Sequence, residues 1–212
     1  MLAAAAVFAV VGYLAGSLPF GVIVARLTGG PDLRTVGSGR TGGTNALRAL
    51  GRRRAFVVTV LDVLKGALPV LAARLVTGDA VVEVAAGLGA VLGSSRSIFL
   101  GFSGGRGVGT GVGTLLVIAP VALLVATPVF LGIILVTRYV SLGSLAGSAT
   151  LPIVVFAMWL AADGSMPLVY VLYALFGAIV VWSAHADNID RLLHGTERKF
   201  DLGLLTGDRK PS

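Results

Sequence analysis

GVGTGVGTLLVIAPVALLVATPVFLGIILV, residues 107–136, is the longest apolar run in the chain, and how it divides decides the fold. As one α-helix it would extend about 45 Å at 1.5 Å per residue, whereas the hydrocarbon core of a membrane is about 30 Å thick. Pro120 interrupts the run, because a proline ring disfavours helical geometry at the preceding residue, Ala119. The sequence therefore predicts two short membrane helices, at 107–118 and 120–136, rather than one long helix.

The composition of the whole chain indicates a membrane protein. Of its 212 residues, 56% are hydrophobic and 13% are charged, about half the charged fraction of roughly 25% that soluble domains carry. Mean hydropathy is +0.93. The net charge of +7 could suit nucleic acid, but the hydropathy and low aromatic content argue against a nucleic-acid partner. Basic cytoplasmic loops explain the same charge better.

The sequence contains no cysteine and two histidines. Disulfides and thiolate metal sites are therefore excluded, and the histidines lack carboxylates at ligand spacing. We expect neither a metal site nor a cofactor. The N-terminal apolar run is too long for a typical signal peptide and is interpreted as a first membrane span.

Six apolar runs, with the fourth divided at Pro120, predict a single polytopic domain of the all-α class over residues 1–212. Its seven predicted spans, two of them short, are 2–25, 55–76, 80–95, 107–118, 120–136, 142–162 and 166–183. The remaining segment, 184–212, is predicted to be a cytoplasmic amphipathic tail that begins with a short helix on the membrane surface.

Charge placement predicts the orientation, because basic loops favour the cytoplasm. The segment after the first span holds seven arginines against one acid, which places the N-terminus outside. Dividing the fourth run at Pro120 then puts Arg138 and the basic C-terminal tail in the cytoplasm, whereas one long helix would put both outside. Arg74, near the outer end of its span, does not fit this rule.

With this topology, the glycine-rich and polar clusters all lie at the cytoplasmic ends of helices, at 36–48, 93–110, 138–144 and 184–199. A transporter would instead gather its binding groups near the midplane, in broken helices of paired repeats. The distribution favours an enzyme that works at the inner membrane face, with a small-anion transporter as the alternative.

Residues 36–45, VGSGRTGGTN, form a glycine-rich segment between the first two spans. Successive glycines allow backbone N–H groups to converge into an anion-binding nest. Arg40 and Arg48 add guanidinium groups suited to phosphate, and hydroxyl residues add further donors. Neither a Walker loop nor a dinucleotide fingerprint is present. The segment is a candidate phosphate-binding loop, with a flexible turn carrying membrane-anchoring arginines as the alternative.

A second glycine-rich segment, GFSGGRGVGTGVG at 101–113, leads directly into a predicted helix. A helix N-terminus adds backbone donors and a positive dipole end. Gly104, Gly105 and Arg106 precede that helix, where helix packing explains less. Close packing by small residues is instead expected of the later glycines: Gly109, Gly111 and Gly113.

Two further polar groups are candidates. Asp62 and Lys65 share one helix face inside the second span, where charges are costly; they either serve the site or neutralise each other. His185, Asn188 and Arg191 face one way if their segment is helical, and His185 could exchange a proton near neutral pH. The alternative for this cluster is an interfacial helix whose histidine lies among lipid headgroups.

Four motifs share an order, a spacing and a membrane setting that cover nearly the whole chain: GSGRTGGTNALR (37–48), DVLKGALPV (62–70), TRYVSLGS (137–144) and AHADNIDRLLHGTERK (184–199). Together they resemble the bacterial acyl-phosphate:glycerol-3-phosphate acyltransferase family (PlsY type). One motif departs from the family pattern, since GSSRSIFLGFSGGRGVGT (93–110) has Ser94, Ser97 and Arg106 in place of histidine, proline and lysine. Two other motifs also depart from the family pattern: Arg40 stands where the first motif has asparagine, and Ala184 stands where the last motif has arginine.

The resemblance implies transfer of a fatty acyl group from acyl phosphate to the 1-hydroxyl of glycerol 3-phosphate, giving lysophosphatidic acid and phosphate. This would be the first acylation of phospholipid synthesis, at the cytoplasmic face of the bacterial plasma membrane and without a cofactor. The implied partners are the two substrates and the bilayer, with the cytosolic enzyme that forms acyl phosphate as a further candidate. A diverged relative acylating another small phosphorylated alcohol, or a catalytically impaired paralogue, remain as alternatives.

The resemblance also implies roles for individual residues. Glycerol 3-phosphate would be bound by Ser38, Arg48, Arg106 and Ser144. Acyl phosphate would be bound by Gly37, Gly39, Gly42, Gly43, Thr44, Asn45, Gly104 and Gly105. His185 and Asn188 would be catalytic, and Asp62 and Lys65 would have a structural or secondary role.

Overall fold

The computed structural model describes residues 1–201 and 203, and within them the chain is all-α apart from one isolated bridge between Ser97 and Ser103. The α-helices are α1 (Leu2–Ser17), α2 (Phe20–Leu27), α3 (Gly43–Leu50), α4 (Arg52–Thr77), α5 (Ala80–Ser95), α6 (Val108–Ile118), α7 (Pro120–Thr137), α8 (Val140–Ala161), α9 (Val169–Ala184) and α10 (Ala186–Leu193). Of the predicted tail, 184–212, the helix α10 is present, whereas residues 202 and 204–212 lie outside the described residues.

The break predicted at Pro120 is confirmed. Helix α6 ends at Ile118 and α7 begins at Pro120, with Ala119 between them in a non-helical conformation (φ −149°, ψ 67°). Pro120 occupies the first position of α7, where a missing backbone N–H costs no helical hydrogen bond.

The first predicted span, 2–25, lies within the apolar segment Leu2–Leu27 and contains a break between two helices. Helix α1 ends at Ser17 and α2 begins at Phe20, because Pro19 disfavours helical geometry at Leu18. The other predicted spans each correspond to one helix, with ends that differ by a few residues. Pro69, Pro128 and Pro152 lie inside helices, so a proline alone does not decide where a span breaks.

Four segments among the described residues are long and apolar enough to cross a membrane: Leu2–Leu27, α4, α7 and α8. A fifth is α9 together with α10, if this pair, bent by 62°, counts as one span. Helices α5 and α6 are apolar but shorter. The all-α membrane class is confirmed, and seven crossings with an outer N-terminus stay a prediction.

Helices α1 and α5 pack with their backbones in direct contact. A methyl group added at Gly12 or Gly16 of α1 would lie 2.1 or 2.0 Å from a carbonyl oxygen of α5. A methyl group added at Gly89 or Gly93 of α5 would likewise lie 2.2 or 2.1 Å from a carbonyl oxygen of α1. Small residues spaced four apart on both helices permit this approach, as in other membrane helix pairs.

Helices α4 and α6 make a second close contact of the same kind. A methyl at Gly113 would lie 1.9 Å from the carbonyl oxygen of Val63, and one at Gly66 would lie 2.1 Å from that of Thr110. The packing role predicted for Gly113 is confirmed. This contact fixes α6, and the glycine-rich loop that precedes it, against α4.

An ion pair between the half-exposed Arg74 and the buried Glu83 joins α4 to α5, and Tyr170 adds a contact from α9. Arg74 donates from Nε and Nη2 to the two carboxylate oxygens of Glu83, at 3.1 and 2.7 Å, and the Tyr170 hydroxyl donates to Glu83 Oε2 at 2.9 Å. Glu83 is 3% exposed. The misfit of Arg74 with the positive-inside rule is thereby explained, because its charge is neutralised within the bundle.

Candidate functional site

A cavity of about 390 Å³ combines a polar end with an apolar groove. The polar end is lined by both glycine-rich loops, the start of α8 and the corner between α9 and α10. The groove runs between helices α6, α7, α8 and α9. Its lining includes Val112, Leu115, Leu123, Ala126, Phe130, Leu151, Tyr173, Ala174, Gly177, Ala178 and Val181.

The first glycine-rich loop is folded around the side chain of Asn45. Its Nδ2 donates to the carbonyl oxygens of Leu33, Val36 and Arg40 at 2.9–3.1 Å, and its Oδ1 accepts from the Ser38 N–H at 3.0 Å. Asn45 is 3% exposed. Since its amide is hydrogen-bonded to the loop backbone, Asn45 shapes the loop. It also lines the cavity, and the acyl-phosphate contact that the resemblance implies for it stays a prediction.

Helix α3 starts at this loop, with Gly42 as its N-terminal cap and Gly43 as its first residue. The first N–H groups of a helix lack intrahelical acceptors and favour an anion. Gly43 is required by packing, because a methyl there would lie 2.3 Å from Thr59 Oγ1 on α4. Gly42, Gly43 and Thr44 line the cavity together with Ser38 and Arg48.

The second glycine-rich loop faces the first. The Gly105 N–H donates to the carbonyl oxygen of Ser94 at 2.9 Å, and Gly107, at φ +75°, caps α6. A methyl on Gly105 would lie 3.7 Å from Thr41 Oγ1 and 3.9 Å from the backbone nitrogen of Gly42. An anion between the loops would therefore lie near the start of α3 on one side and near the start of α6 on the other.

Three predicted glycines do not line the cavity. Gly37 and Gly39 adopt positive φ angles of 59° and 68°, which favour glycine. A methyl at Gly104 would lie 2.6 Å from the Ser94 carbonyl oxygen. These glycines allow the two loops to fold, and the contact with acyl phosphate that the resemblance implies for them stays a prediction.

The serines that depart from the family pattern are both buried. Ser97 Oγ donates to the carbonyl oxygen of Ser17 at 2.6 Å, and the Ser97 N–H donates to Ser103 at 3.0 Å. Ser97 thus ties the second loop to the end of α1. Ser94 lines the cavity and positions Gly105 through its carbonyl group.

Asp187 is the centre of an arginine cluster at the polar end. Arg106 Nη2 lies 3.0 Å from Asp187 Oδ2, Arg191 Nη1 lies 3.3 Å from it, and Arg40 Nη2 lies 3.4 Å from Oδ1. Burial opposes ionisation of Asp187, but the charges of Arg106, Arg40 and Arg191 outweigh it and hold its pKa below the ordinary value. The cluster therefore joins both glycine-rich loops to α10.

The Arg106 side chain is 16% exposed. Its Nε is buried and has no hydrogen-bond partner in the described part of the chain. Burial lowers the pKa of Arg106, although a guanidinium remains charged at neutral pH. Arg106 thus lines the cavity with one donor committed to Asp187 and another unused.

Glu197 organises the opposite wall. Its Oε1 accepts from Ser141 Oγ at 2.9 Å and from Asn188 Nδ2 at 2.6 Å, and its Oε2 accepts from Arg191 Nε at 2.7 Å. Burial disfavours the Glu197 carboxylate, but the hydrogen bonds from Arg191, Asn188 and Ser141 outweigh it and lower its pKa. With its Nδ2 engaged, Asn188 keeps a buried Oδ1 that no group in the described residues satisfies.

His185 lies at the corner between α9 and α10, 2% exposed, and lines the cavity. Its Nδ1 is 2.8 Å from the carbonyl oxygen of Val181. Because a carbonyl only accepts, Nδ1 carries the proton and Nε2 keeps a lone pair. Burial, helped by the charges of Arg106 and Arg40, lowers the pKa of His185 to about 4. The imidazole is therefore neutral at physiological pH.

Other predicted site residues also reach the cavity. Arg48 and Ser144 line its polar end, and Ser144 Oγ donates to the Val140 carbonyl oxygen at 2.9 Å. Asp62 and Lys65 line it too, with Lys65 Nζ 2.6 Å from Asp62 Oδ1. Lys65 Nζ also donates to the Leu18 carbonyl oxygen at 3.1 Å, at the break between α1 and α2, which supports the structural role predicted for this pair.

Sequence reasoning did not single out Asp187 or Glu197. The spacing of Asp187 and Arg191, four apart on a helix, was an available signal. The contacts of Asp187 with Arg40 and Arg106, and of Glu197 with Ser141, join residues far apart in the chain. No local pattern indicates them.

The sequence and the fold match known proteins over nearly their whole length. The family described as "Glycerol-3-phosphate acyltransferase" matches residues 6–195. The glycerol-3-phosphate acyltransferase of Myxococcus xanthus is 46% identical over 191 residues, covering 89% of this chain and 96% of that protein. A Thermus thermophilus protein of the same name is 46% identical over 188 residues, covering 89% and 91%.

Two crystal structures of PlsY, an integral membrane glycerol 3-phosphate acyltransferase, share the fold. The glycerol 3-phosphate form is 37% identical with a TM-score of 0.87, covering 97% of this chain and 99% of that one. The lysophosphatidic acid form is 36% identical with a TM-score of 0.84, covering 95% and 98%. From its sequence and its fold alike, this chain belongs to the glycerol-3-phosphate acyltransferase family.

Proposed function

We propose that the protein transfers a fatty acyl group from acyl phosphate to the 1-hydroxyl of glycerol 3-phosphate, giving lysophosphatidic acid and phosphate. The observation that carries the proposal is the cavity itself. Its polar end offers arginines, hydroxyls and backbone N–H groups for two phosphates, and its groove offers an apolar path for an acyl chain. The related PlsY structures hold the acceptor and the product of this reaction.

The acceptor phosphate is assigned to the arginine-rich side of the polar end. Arg106 is nearly buried and retains an unused donor, and a guanidinium binds phosphate with two parallel hydrogen bonds. Arg48, Ser38 and Ser144 line the same end of the cavity. These four residues match those that the family resemblance assigns to glycerol 3-phosphate.

The donor phosphate is assigned to the space between the glycine-rich loops. Gly42, Gly43 and Thr44 at the start of α3 face Gly105 across it. Helix N-termini supply N–H donors and a positive dipole end for the phosphate that leaves. The acyl chain would follow the groove from this point, between α6 and α9.

In the reaction, the glycerol hydroxyl oxygen attacks the acyl carbonyl carbon, and the bond from that carbon to the phosphate oxygen breaks. Phosphate leaves with the bonding electron pair. The enzyme mainly has to hold two anions together and orient the hydroxyl. His185 Nε2 and Asn188 Oδ1 are the acceptors suited to that hydroxyl proton, which then passes to His185 or to the departing phosphate.

We assign the protein to the bacterial plasma membrane, with the cavity's polar end at the cytoplasmic face. The basic segments that border this end favour the cytoplasm. Glycerol 3-phosphate would then enter from the cytosol, and the cytosolic enzyme that forms acyl phosphate is a candidate partner. Cysteine substitutions in the first glycine-rich loop, labelled from one side of sealed vesicles, would test this orientation.

The decisive assay supplies the purified protein in lipid nanodiscs with palmitoyl phosphate and radiolabelled glycerol 3-phosphate. Formation of labelled lysophosphatidic acid with release of one phosphate supports the proposal. Palmitoyl-CoA at the same concentration is the matched donor control and should give little product. The same protein in sealed vesicles tests the alternative, since uptake of label without product would favour a transporter. The absence of both product and uptake would indicate an impaired paralogue.

A further inference from the structure

The groove has a defined inner end on α9. The residues of α9 that line the cavity begin at Tyr173 and continue along one face to Val181, ending at His185 beyond the helix. Twelve residues of helix separate Tyr173 from His185, about 18 Å at 1.5 Å per residue. Tyr173 also belongs to a buried cluster with Leu115 and Leu123, the deep lining residues of α6 and α7.

The Tyr173 ring is held on two sides. Its hydroxyl is hydrogen-bonded to Thr114 Oγ1 on α6, and Tyr173 and Thr114 are 2% and 0% exposed. Behind the ring lies the backbone of α5, because a methyl group at Gly87 would lie 3.0 Å from Tyr173 Cε2. The ring thus forms a fixed wall between the groove and α5.

We propose that Tyr173 determines the length of acyl chain that the enzyme accepts. This inference rests on the proposed function, because it takes the groove as the acyl site. The reacting carbon is fixed at the polar end, and the methyl end of the chain points towards Tyr173. The distance between the polar end and the Tyr173 ring therefore limits the chain length that fits. The ring cannot turn aside without leaving its buried hydroxyl unpaired.

Two substitutions should change the groove in opposite directions. Tyr173→Leu removes the ring and opens space towards Gly87 and Ile118, so longer chains fit. Thr114 keeps a partner in that variant, since its hydroxyl also donates to the Gly111 carbonyl oxygen at 2.7 Å. Gly87→Ala pushes the ring towards the groove by a few tenths of an ångström, so the longest accepted chains should be excluded.

The experiment gives the protein in nanodiscs an equimolar mixture of saturated acyl phosphates, from lauroyl to arachidoyl, with glycerol 3-phosphate. Mass spectrometry then measures the chain-length distribution of the lysophosphatidic acids. Tyr173→Leu should move the distribution to longer chains, because methylenes that the ring excludes then fit in the groove. Gly87→Ala should move it to shorter chains. Tyr173→Phe keeps the ring but loses the hydrogen bond to Thr114 that holds it, so its shift to longer chains should be smaller than that of Tyr173→Leu.

Tyr170→Leu is the matched control, because Tyr170 lies one turn away on α9, bonds to Glu83 and does not line the cavity. An unchanged distribution in active Tyr173→Leu, or an equal shift in Tyr170→Leu, would overturn the inference. If Tyr173→Leu does not fold, Gly87→Ala alone tests the inference. An unchanged chain-length distribution in Gly87→Ala would then overturn it. Absence of product from the wild type at every chain length would instead refute the proposed function on which the inference rests.

Discussion

Arg106 and Asp187 meet at the polar end of the cavity, with Nη2 of the guanidinium 3.0 Å from Oδ2 of the carboxylate. Arg106 comes from the glycine-rich loop before α6, and Asp187 from the first turn of α10. The pair therefore joins two parts of the chain that each supply a wall of the cavity. It also places a negative charge of the protein among the arginines that we assign to substrate binding.

Asp187→Asn should strengthen anion binding, because it removes the charge that neutralises Arg40, Arg106 and Arg191 while keeping the side-chain size. We expect inhibition by inorganic phosphate to strengthen by roughly threefold to tenfold, or about 0.7–1.4 kcal/mol. The change should shrink at high salt, which screens charges. Initial rates measured against phosphate concentration at two ionic strengths provide the test.

The control for Asp187 is Asp190→Asn on the same helix, because the Asp190 side chain is 72% exposed and faces His194. That variant should bind phosphate like the wild type. Unchanged phosphate inhibition in Asp187→Asn would contradict the assignment of the arginine cluster to anion binding.

Arg106→Ala should raise the KM for glycerol 3-phosphate far more than Arg106→Lys. Loss of a charged hydrogen-bond donor costs about 1.5–3 kcal/mol, which corresponds to roughly a tenfold to hundredfold rise. Lysine keeps the positive charge but has a compact ammonium group in place of the planar guanidinium, which can bind phosphate through two parallel hydrogen bonds. The rise in KM should therefore be smaller for Arg106→Lys. Steady-state kinetics at saturating acyl phosphate would measure both, and equal, small effects would remove Arg106 from the site.

His185 should titrate near pH 4 rather than near its ordinary value, because its burial disfavours the charged ring. A His194→Gln variant leaves His185 as the sole histidine, so ¹⁵N NMR can follow its ring nitrogens and should find the proton on Nδ1 at neutral pH. A midpoint near 6.5 would contradict the burial of His185.

The same depressed pKa makes folding stability depend on pH. As pH falls from about 6.5 towards 4, the unfolded chain takes up a proton at His185 that the folded protein does not. Stability should therefore fall through this window, and His185→Gln should lose that part of the dependence. Thermal unfolding in detergent at several pH values measures this difference.

Catalysis by His185 is a separate question. If its Nε2 accepts the hydroxyl proton, His185→Ala should lower kcat by about a hundredfold or more. Near-normal turnover would exclude His185 as an obligatory base and leave that role to the phosphate of the donor.

Gly16→Ala should destabilise the fold, since the added methyl would lie 2.0 Å from the Ala90 carbonyl oxygen. Forcing the helices apart costs about 1–3 kcal/mol. Gly132→Ala on α7 is the control, because a methyl there meets no atom within 4 Å, and it should be neutral or slightly stabilising. Thermal unfolding of the two variants in the same detergent compares them, and equal stability would argue against a close α1–α5 contact.

The sequence indicated the helical segments and both glycine-rich loops, because apolar length, glycine spacing and Pro120 are local signals. It did not distinguish Pro19, which lies at the break between α1 and α2, from Pro69, which lies within α4. The family resemblance implied that Asn45 binds acyl phosphate, but it did not indicate that the buried contacts of Asn45 hold the loop together. The partners of Arg74 and Asp187 depend on helices meeting in space, which no local pattern encodes.

The backbone contact between α1 and α5 has a consequence for how such a protein can change over evolution. At four positions even one added methyl collides with main-chain atoms: Gly12, Gly16, Gly89 and Gly93. A larger residue at any of them would force α1 and α5 apart. The groove is instead bounded by side chains such as Tyr173, whose size can change without moving a helix. Under the proposed function, acyl-chain preference can therefore change between relatives while the contact between α1 and α5 stays the same.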